Sequence, residues 1–337
     1  MIFLKKDSPW EEKIMMNFYP IDASLATFHR ALEFEGGTLD LIDLPLSLPG
    51  FSHFLSSWLL RDEKKGRTIL VDPGPTSTLP KLLNALKSVG VSCIDYIVLT
   101  HIHIDHAGGV GNLLKYFPES KVVAPNRGVK HLIDPSRLQK ASLKTLRQVA
   151  LEYGEMTAVP ADAIIPREDL TDILFVDTPG HAPHHHSFYY PLEGENPLLF
   201  AGEAAGVFWG DMEGKQFYMR PTTPPRFFFH SAMDSIKLLL RRPCSLLLYA
   251  HYGMVRHGDL FLKRSLEQLN EWREKVKREE GGALPDLVDR ILKEDPYVER
   301  FYEMSVDEQR RERYFITNSL RGIAEGLADE KKEGASS

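Results

Sequence analysis

His101-Ile102-His103-Ile104-Asp105-His106 places four candidate metal ligands within six residues. Imidazole nitrogen and carboxylate oxygen together suit Zn²⁺ and other first-row metals, and so dense a cluster can serve two ions. The run follows the apolar Tyr96-Ile97-Val98-Leu99 and precedes Ala107-Gly108-Gly109, so the histidines stand where a strand gives way to a turn. Three further candidates lie downstream. His181 closes Asp177-Thr178-Pro179-Gly180-His181, Glu203 closes Phe200-Ala201-Gly202-Glu203, and His251 sits in Tyr249-Ala250-His251-Tyr252-Gly253. Each follows an apolar run that reads as a strand, and strand ends are where a rigid scaffold can aim loop side chains at a common point.

The elements that must position these residues follow from periodicity. Leu41–Leu44 and Phe54–Leu60 read as strands, and the polar Arg61–Gly66 as a hairpin turn leading into Thr68–Val71. Leu79, Leu82, Leu83, Leu86 and Val89 fall at helical spacing. Val110–Phe117 and Ser136–Tyr153 each read as one helix, the second entered through Asp134-Pro135. Strands recur at Lys121–Ala124, Ile173–Val176, Ser187–Tyr190, Leu198–Phe200 and Leu246–Tyr249. Met219–Pro225 reads as a proline-rich loop followed by a helix to about Leu240. From Asp259 onward the pattern is helical, and Ala328–Ser337 reads as a frayed tail. The expected division is an N-terminal segment (1–34) of no evident structure, an α/β body (35–256), a helical extension (257–327) and a disordered tail (328–337).

Composition narrows the function classes. The chain has 337 residues, is 43% hydrophobic and carries a formal charge of −6, so no basic surface for nucleic acid or an anionic membrane is implied. A small-molecule substrate is the expected partner. Cys93 and Cys244 adjoin apolar runs and read as small buried hydrophobes. Met1-Ile2-Phe3-Leu4 gives way at once to Lys5-Lys6-Asp7, unlike a signal peptide, and no run approaches the ~20 apolar residues that cross a bilayer. A cytoplasmic location is the expectation.

Taken in order, H-x-H-x-D-H, T-P-G-H at 178–181, F-A-G-E at 200–203 and the strand-terminal His251 resemble the metallo-β-lactamase fold superfamily. The style is that of its glyoxalase II-like and lactonase-like hydrolases. Val71-Asp72-Pro73-Gly74 and Leu99-Thr100-His101 match the family's lead-in, and the resemblance spans about residues 35 to 255. It implies a four-layer αββα sandwich with two Zn²⁺ ions, or Fe or Mn in their place. His101, His103 and His181 would hold one metal, and Asp105, His106 and His251 the other. Glu203 occupies the place of the family's bridging aspartate. Its extra methylene leaves open whether it bridges, binds one ion, or withdraws behind the ligands.

The implied reaction is attack on an ester, thioester or lactone carbonyl by a hydroxide held at the metals, which lower the pKa of bound water from 15.7 to about 7. Asp105 would orient that nucleophile. Asp72 would support a ligand histidine through its other ring nitrogen, and His185 matches the motif's structural histidine. Tyr218, Arg220 and Tyr252 are candidate substrate-facing groups. His184 stands where glycine is common, and Phe227-Phe228-Phe229 reads as pocket lining or as packing under the C-terminal helices. Asn318-Ser319-Leu320-Arg321-Gly322 resembles the ending of several prokaryotic members, with no role readable from sequence. Two other readings remain open. One is a mononuclear-iron, persulfide-dioxygenase-like oxidoreductase using His101, His181 and Glu203. The other is a catalytically weakened member whose helical extension serves oligomerisation. A homodimer through those helices or through residues 1–34 is compatible with the sequence.

Overall fold

The computed structural model describes residues 27–225, 227–279 and 284–335. Its first sheet contains, in spatial order, β1 (Thr27–Phe34), β2 (Gly37–Asp43), β3 (Ser56–Asp62), β4 (Arg67–Val71), β5 (Tyr96–Val98), β6 (Lys121–Val123) and β7 (Ile164–Ile165). The strands up to β4 pair antiparallel, and those from β4 to β7 run parallel. The second half of the chain supplies β8 (Leu174–Asp177), β9 (His186–Tyr190), β10 (Leu198–Gly202), β11 (Val207–Gly210), β12 (Phe217–Arg220), β13 (Leu246–Tyr249) and β14 (Met254–Val255). They form a second sheet in the order β14-β13-β10-β9-β8, with β11 and β12 as a separate hairpin.

Alternation along the strands divides the apolar side chains between two faces. Trp58, Leu60, Ile69, Val71 and Val98 meet Phe188, Tyr190, Leu198, Phe200 and Leu248 in a buried layer between the sheets. Leu59, Leu70 and Ile97 point the other way. They pack on α1 (Leu79–Ser88), α3 (Val110–Leu113), α4 (Val129–Ile133) and α6 (Gln148–Tyr153), through residues such as Leu82, Leu113, Leu132 and Tyr153. On the outer face of the second sheet, Leu199, Leu247 and Tyr249 pack on α7 (Phe229–Leu239) and α8 (Gly258–Arg278). The layers are therefore helix, sheet, sheet, helix, as the resemblance implied. Beyond them, α8, α9 (Leu284–Glu294) and α10 (Val306–Ala335) share a further core around Trp272, Ile291, Ile316 and Leu320.

Several expectations need correction. Thr27–Phe34 forms β1, paired along its length with β2, so the α/β body starts before residue 35; residues 1–26 lie outside the described residues. The helix expected over Ser136–Tyr153 is two, α5 (Ser136–Leu146) and α6, parted at Arg147, whose φ of +52° no helix accommodates. Val110–Phe117 is regular helix only to Leu113. Residues 328–335 continue α10 instead of fraying. Cys93 is exposed and Cys244 only partly buried, so neither is the core hydrophobe its neighbours suggested. Met219 and Arg220, expected in the proline-rich loop, instead end β12 of the β11–β12 hairpin. Among the described residues, no helix is long and apolar enough to cross a membrane.

Candidate metal centre

Parallel pairing brings the ligand-bearing segments to common edges. Val71 pairs with Val98 at the ends of β4 and β5, and the chain just beyond them carries Asp72 and Thr100-His101. His103 caps α2 (Ile104–Ala107), a single turn that contains Asp105 and His106. In the second sheet, β10 and β13 are also parallel, and Glu203 and His251 follow their ends. Gly202 is needed at its position: its φ is +60°, and a Cβ there would collide with His185 Nε2.

The seven side chains gather into two adjoining groups, His101, His103, His181 with Glu203, and Asp105, His106 with His251. Within the first, His103 Nδ1 lies 3.1 Å from His101 Nε2 and 3.0 Å from His181 Nε2. Glu203 Oε2 lies 3.2 Å from His101 Nε2 and 3.0 Å from His181 Nε2. The same oxygen is 3.3 Å from His106 Nε2, and Oε1 is 3.7 Å from His251 Nε2. Asp105 Oδ2 stands 3.4 Å from His251 Nε2 and 3.7 Å from His106 Nε2. The longer glutamate thus does not withdraw; its carboxylate reaches histidines of both groups.

Hydrogen bonds behind the rings decide what faces the centre. His181 Nδ1–H donates to the Thr222 carbonyl (3.2 Å) and His251 Nδ1–H to the Phe54 carbonyl (3.0 Å). Thr100 gives its hydroxyl proton to Asp72 Oδ2 (2.7 Å), so its oxygen accepts from His101 Nδ1–H (3.1 Å). A neutral imidazole has one N–H. With Nδ1 protonated on His101, His181 and His251, each Nε2 turns a lone pair inward. Lone pairs and a carboxylate about 3 Å apart repel unless a cation lies among them, and these separations suit neighbouring ligands on one ion with bonds of about 2.0–2.1 Å. His106 Nε2, buried and without a hydrogen-bond partner, opens on the same space. The donor set fits two divalent ions.

Electrostatics divides the set: burial opposes charge on His106, but Asp105, Glu203 and Asp72 bring its imidazole up to about 9, a proton that a bound cation would displace. Burial opposes charge on Glu203, yet the surrounding imidazoles, His181 and His251 foremost, hold its carboxyl well below the usual range. Burial likewise opposes ionisation of Asp105, but His106 and His251 bring it down to about 2. Burial pushes His101 well below its ordinary value and His103 down to about 3, which leaves their rings neutral.

Of the remaining sequence candidates, Asp72 and His185 sit behind the ligands. Asp72 acts on His101 through Thr100 and lies 3.6 Å from His106 Nδ1, an ion-pair distance. His185 Nε2 accepts from the Glu203 backbone N–H (3.0 Å), while its Nδ1 pairs with Thr178 Oγ1 (2.8 Å). Tyr218 and Arg220 do not face a substrate: both are buried and bonded to Glu312 Oε2, at 2.8 and 2.6 Å. Tyr252, with a φ of +81°, is buried in the layer between the sheets with its ring edge-on to His53. Phe227 is buried as expected, whereas Phe228 is exposed. His184 lies ring-edge to His103 at 5.4 Å. Thr100, Thr222 and Phe54 went unrecognised in the sequence, since two of the three act through a backbone carbonyl that carries no residue signature.

Comparison with known proteins agrees with this geometry. The model of the metallo-beta-lactamase superfamily matches residues 53–251. An archaeal metallo-beta-lactamase fold-containing protein, ST1585 of Sulfurisphaera tokodaii, is 27% identical over 260 residues, 74% of this chain and 91% of that protein. Hydroxyacylglutathione hydrolase of Idiomarina loihiensis is 28% identical over 255 residues, 74% of this chain and 83% of the enzyme. Among solved structures, ST1585 superimposes with a TM-score of 0.59 at 23% identity, covering 85% of this chain and 98% of that one. A metallo-beta-lactamase family protein of Thermus thermophilus, TTHA1429, gives the same TM-score of 0.59 at 19% identity, with 87% and 94% covered.

Proposed function

The chain belongs to the metallo-beta-lactamase superfamily, and from that premise we propose that it is a metal-dependent hydrolase of ester, thioester or lactone carbonyls, with zinc favoured by the donor types. The observation that carries the reading is the convergence of seven ligand side chains in two groups that meet at Glu203. Two divalent ions held there would bring the pKa of water towards neutrality and polarise a carbonyl oxygen.

The protein's own residues divide the remaining work. Thr100, Thr222 and Phe54 fix three imidazoles in the tautomer that offers Nε2. Glu203 is held at its backbone by His185 and Thr222, so its carboxylate stays between the groups. Asp105 is the most open of the carboxylate ligands, 14% exposed at its side chain against 5% for Glu203. It is therefore the carboxylate placed to orient the nucleophile by accepting its hydrogen bond. The likeness to hydroxyacylglutathione hydrolases supports including a thioester among the substrates.

The test is metal analysis of the purified protein, then assay of an ester, thioester and lactone panel before and after chelation. About two equivalents of zinc, with hydrolysis lost on chelation and restored by zinc, is the expected result. A fully metallated protein inert to the whole panel contradicts the proposal. One equivalent of iron with oxygen uptake on a persulfide would favour the oxygenase reading, for which His101, His181 and Glu203 do lie together.

A further inference from the structure

Two loops carry the carbonyls that orient His181 and His251, and the same helix grips both. On α10, Arg311, Phe315, Ser319 and Gly322 recur at intervals of four, four and three residues, which puts them on one helical face about 16 Å long. At one end of that face, Ser319 Oγ donates to the Pro221 carbonyl (3.2 Å), and Thr223 Oγ1 donates to the Ser319 carbonyl (2.7 Å). Gly322 lets the helix lie against the loop: a Cβ there would overlap the Thr223 carbonyl oxygen. Between those two held residues is Thr222, whose carbonyl takes the His181 proton and whose hydroxyl donates to the Glu203 carbonyl (3.1 Å). The Asn318–Gly322 segment, mute in the sequence, thereby acquires a mechanical role.

At the other end, Arg311 donates to the carbonyls of Gly50 and Ser52 and lays its guanidinium over the Phe54 ring at 4.8 Å. Phe315 stacks on the same ring at 4.9 Å. Phe54 in turn accepts from His251 Nδ1–H and packs its ring against the imidazole at 4.6 Å. Glu312 links the helix to the hairpin, taking Arg311 Nε on Oε1 (2.8 Å) and Arg220 Nε with the Tyr218 hydroxyl on Oε2.

We propose that α10 is a positioning element for the metal centre, in which Ser319 acts on His181 through Thr222 and Arg311 acts on His251 through Phe54. The proposal rests on reading the two groups as metal sites. Its signature is selectivity: each end of the helix acts chiefly on one group, whereas a helix that merely stabilised the fold would affect both alike.

The test is Co²⁺ titration of the full-length, chelator-stripped protein, following the two d–d spectra, with His103→Ala and His106→Ala assigning each spectrum to its group. Ser319→Ala is expected to weaken the His101, His103, His181 site about 10-fold, the low end for a group behind the ligands, and the other site, reached only through Glu203, clearly less. Arg311→Ala is expected to do the reverse, with Arg311→Lys recovering part of the loss. If Arg311→Ala fails to fold, Phe315→Leu removes the stack on Phe54 and takes its place. Unchanged affinities at both sites overturn the proposal, as does equal weakening of both with a matching fall in Tm. A parent protein that takes up no Co²⁺ overturns the metal-site reading itself, and the positioning role with it.

Discussion

The two groups of the metal centre share their placement at strand ends and differ in how the rings are held. In the first, His101 and His181 both have their outer nitrogens fixed, by Thr100 and by the Thr222 carbonyl. In the second, only His251 is held so, by the Phe54 carbonyl; His106 has Asp72 at 3.6 Å and an inner nitrogen without a partner. The second group also contains Asp105, the more open carboxylate. Preorganised ligands lose little freedom on binding, so the first group is expected to be the tighter site. Glu203 touches histidines of both, and its length suits a centre of unequal halves.

The largest predicted effect separates the halves most sharply. Asp105→Asn should lower kcat by about 10²–10³-fold, as loss of a preorganised charge that orients the nucleophile does, while the first site keeps its affinity. Steady-state kinetics beside metal titration checks this, and equal loss at both sites would erase the distinction. Next is Glu312→Ala, which should blur the comparison by striking the frame behind both. It breaks a buried pair with Arg220, at a cost of about 3–5 kcal/mol in denaturant unfolding. The pH dependence has a defined sign. Burial opposes the Glu312 charge, but Arg220 and Arg311 bring its carboxyl down to about 2 from an ordinary 4.5. Its contribution is whole above pH 4.5 and lost as pH falls towards 2, so Glu312→Gln should flatten that part of the stability curve.

A smaller effect sharpens the contrast again. Asp72→Asn should weaken the first site about 10–100-fold, since Asp72 fixes Thr100 and through it His101. The second site, which Asp72 reaches only by charge, should lose less. Competition with a chromophoric chelator measures both. Cys93→Ser, at an exposed thiol far from either group in the fold, should move stability by less than about 0.5 kcal/mol and neither affinity.

The ligands were legible because their side chains cluster just beyond strand ends, where local pattern and chemistry coincide. Their supports were not. The Thr222 and Phe54 carbonyls belong to backbone that any sequence could supply. Their placement depends on a helix whose gripping residues lie 96 and 261 positions along the chain from the loops they hold. Tyr218 and Arg220 show the converse error. Polar residues beside a proline-rich loop suggested substrate contact, but a single buried carboxylate on α10 claims both. Alternation and helical spacing marked an α/β body and the family resemblance supplied its layer order, whereas the break at Arg147 rests on one backbone angle that the surrounding helical pattern conceals.

The central claim is that Glu203 stands between two metal ions held by unequal ligand sets. Anomalous diffraction from crystals of the metal-loaded protein, collected at the Zn, Fe and Mn edges, tests it most directly. Two zinc peaks are expected to flank the Glu203 carboxylate, the stronger among His101, His103 and His181 and the weaker among Asp105, His106 and His251. A single peak with Glu203 turned away from it, or no peak from protein loaded with excess metal, would contradict it.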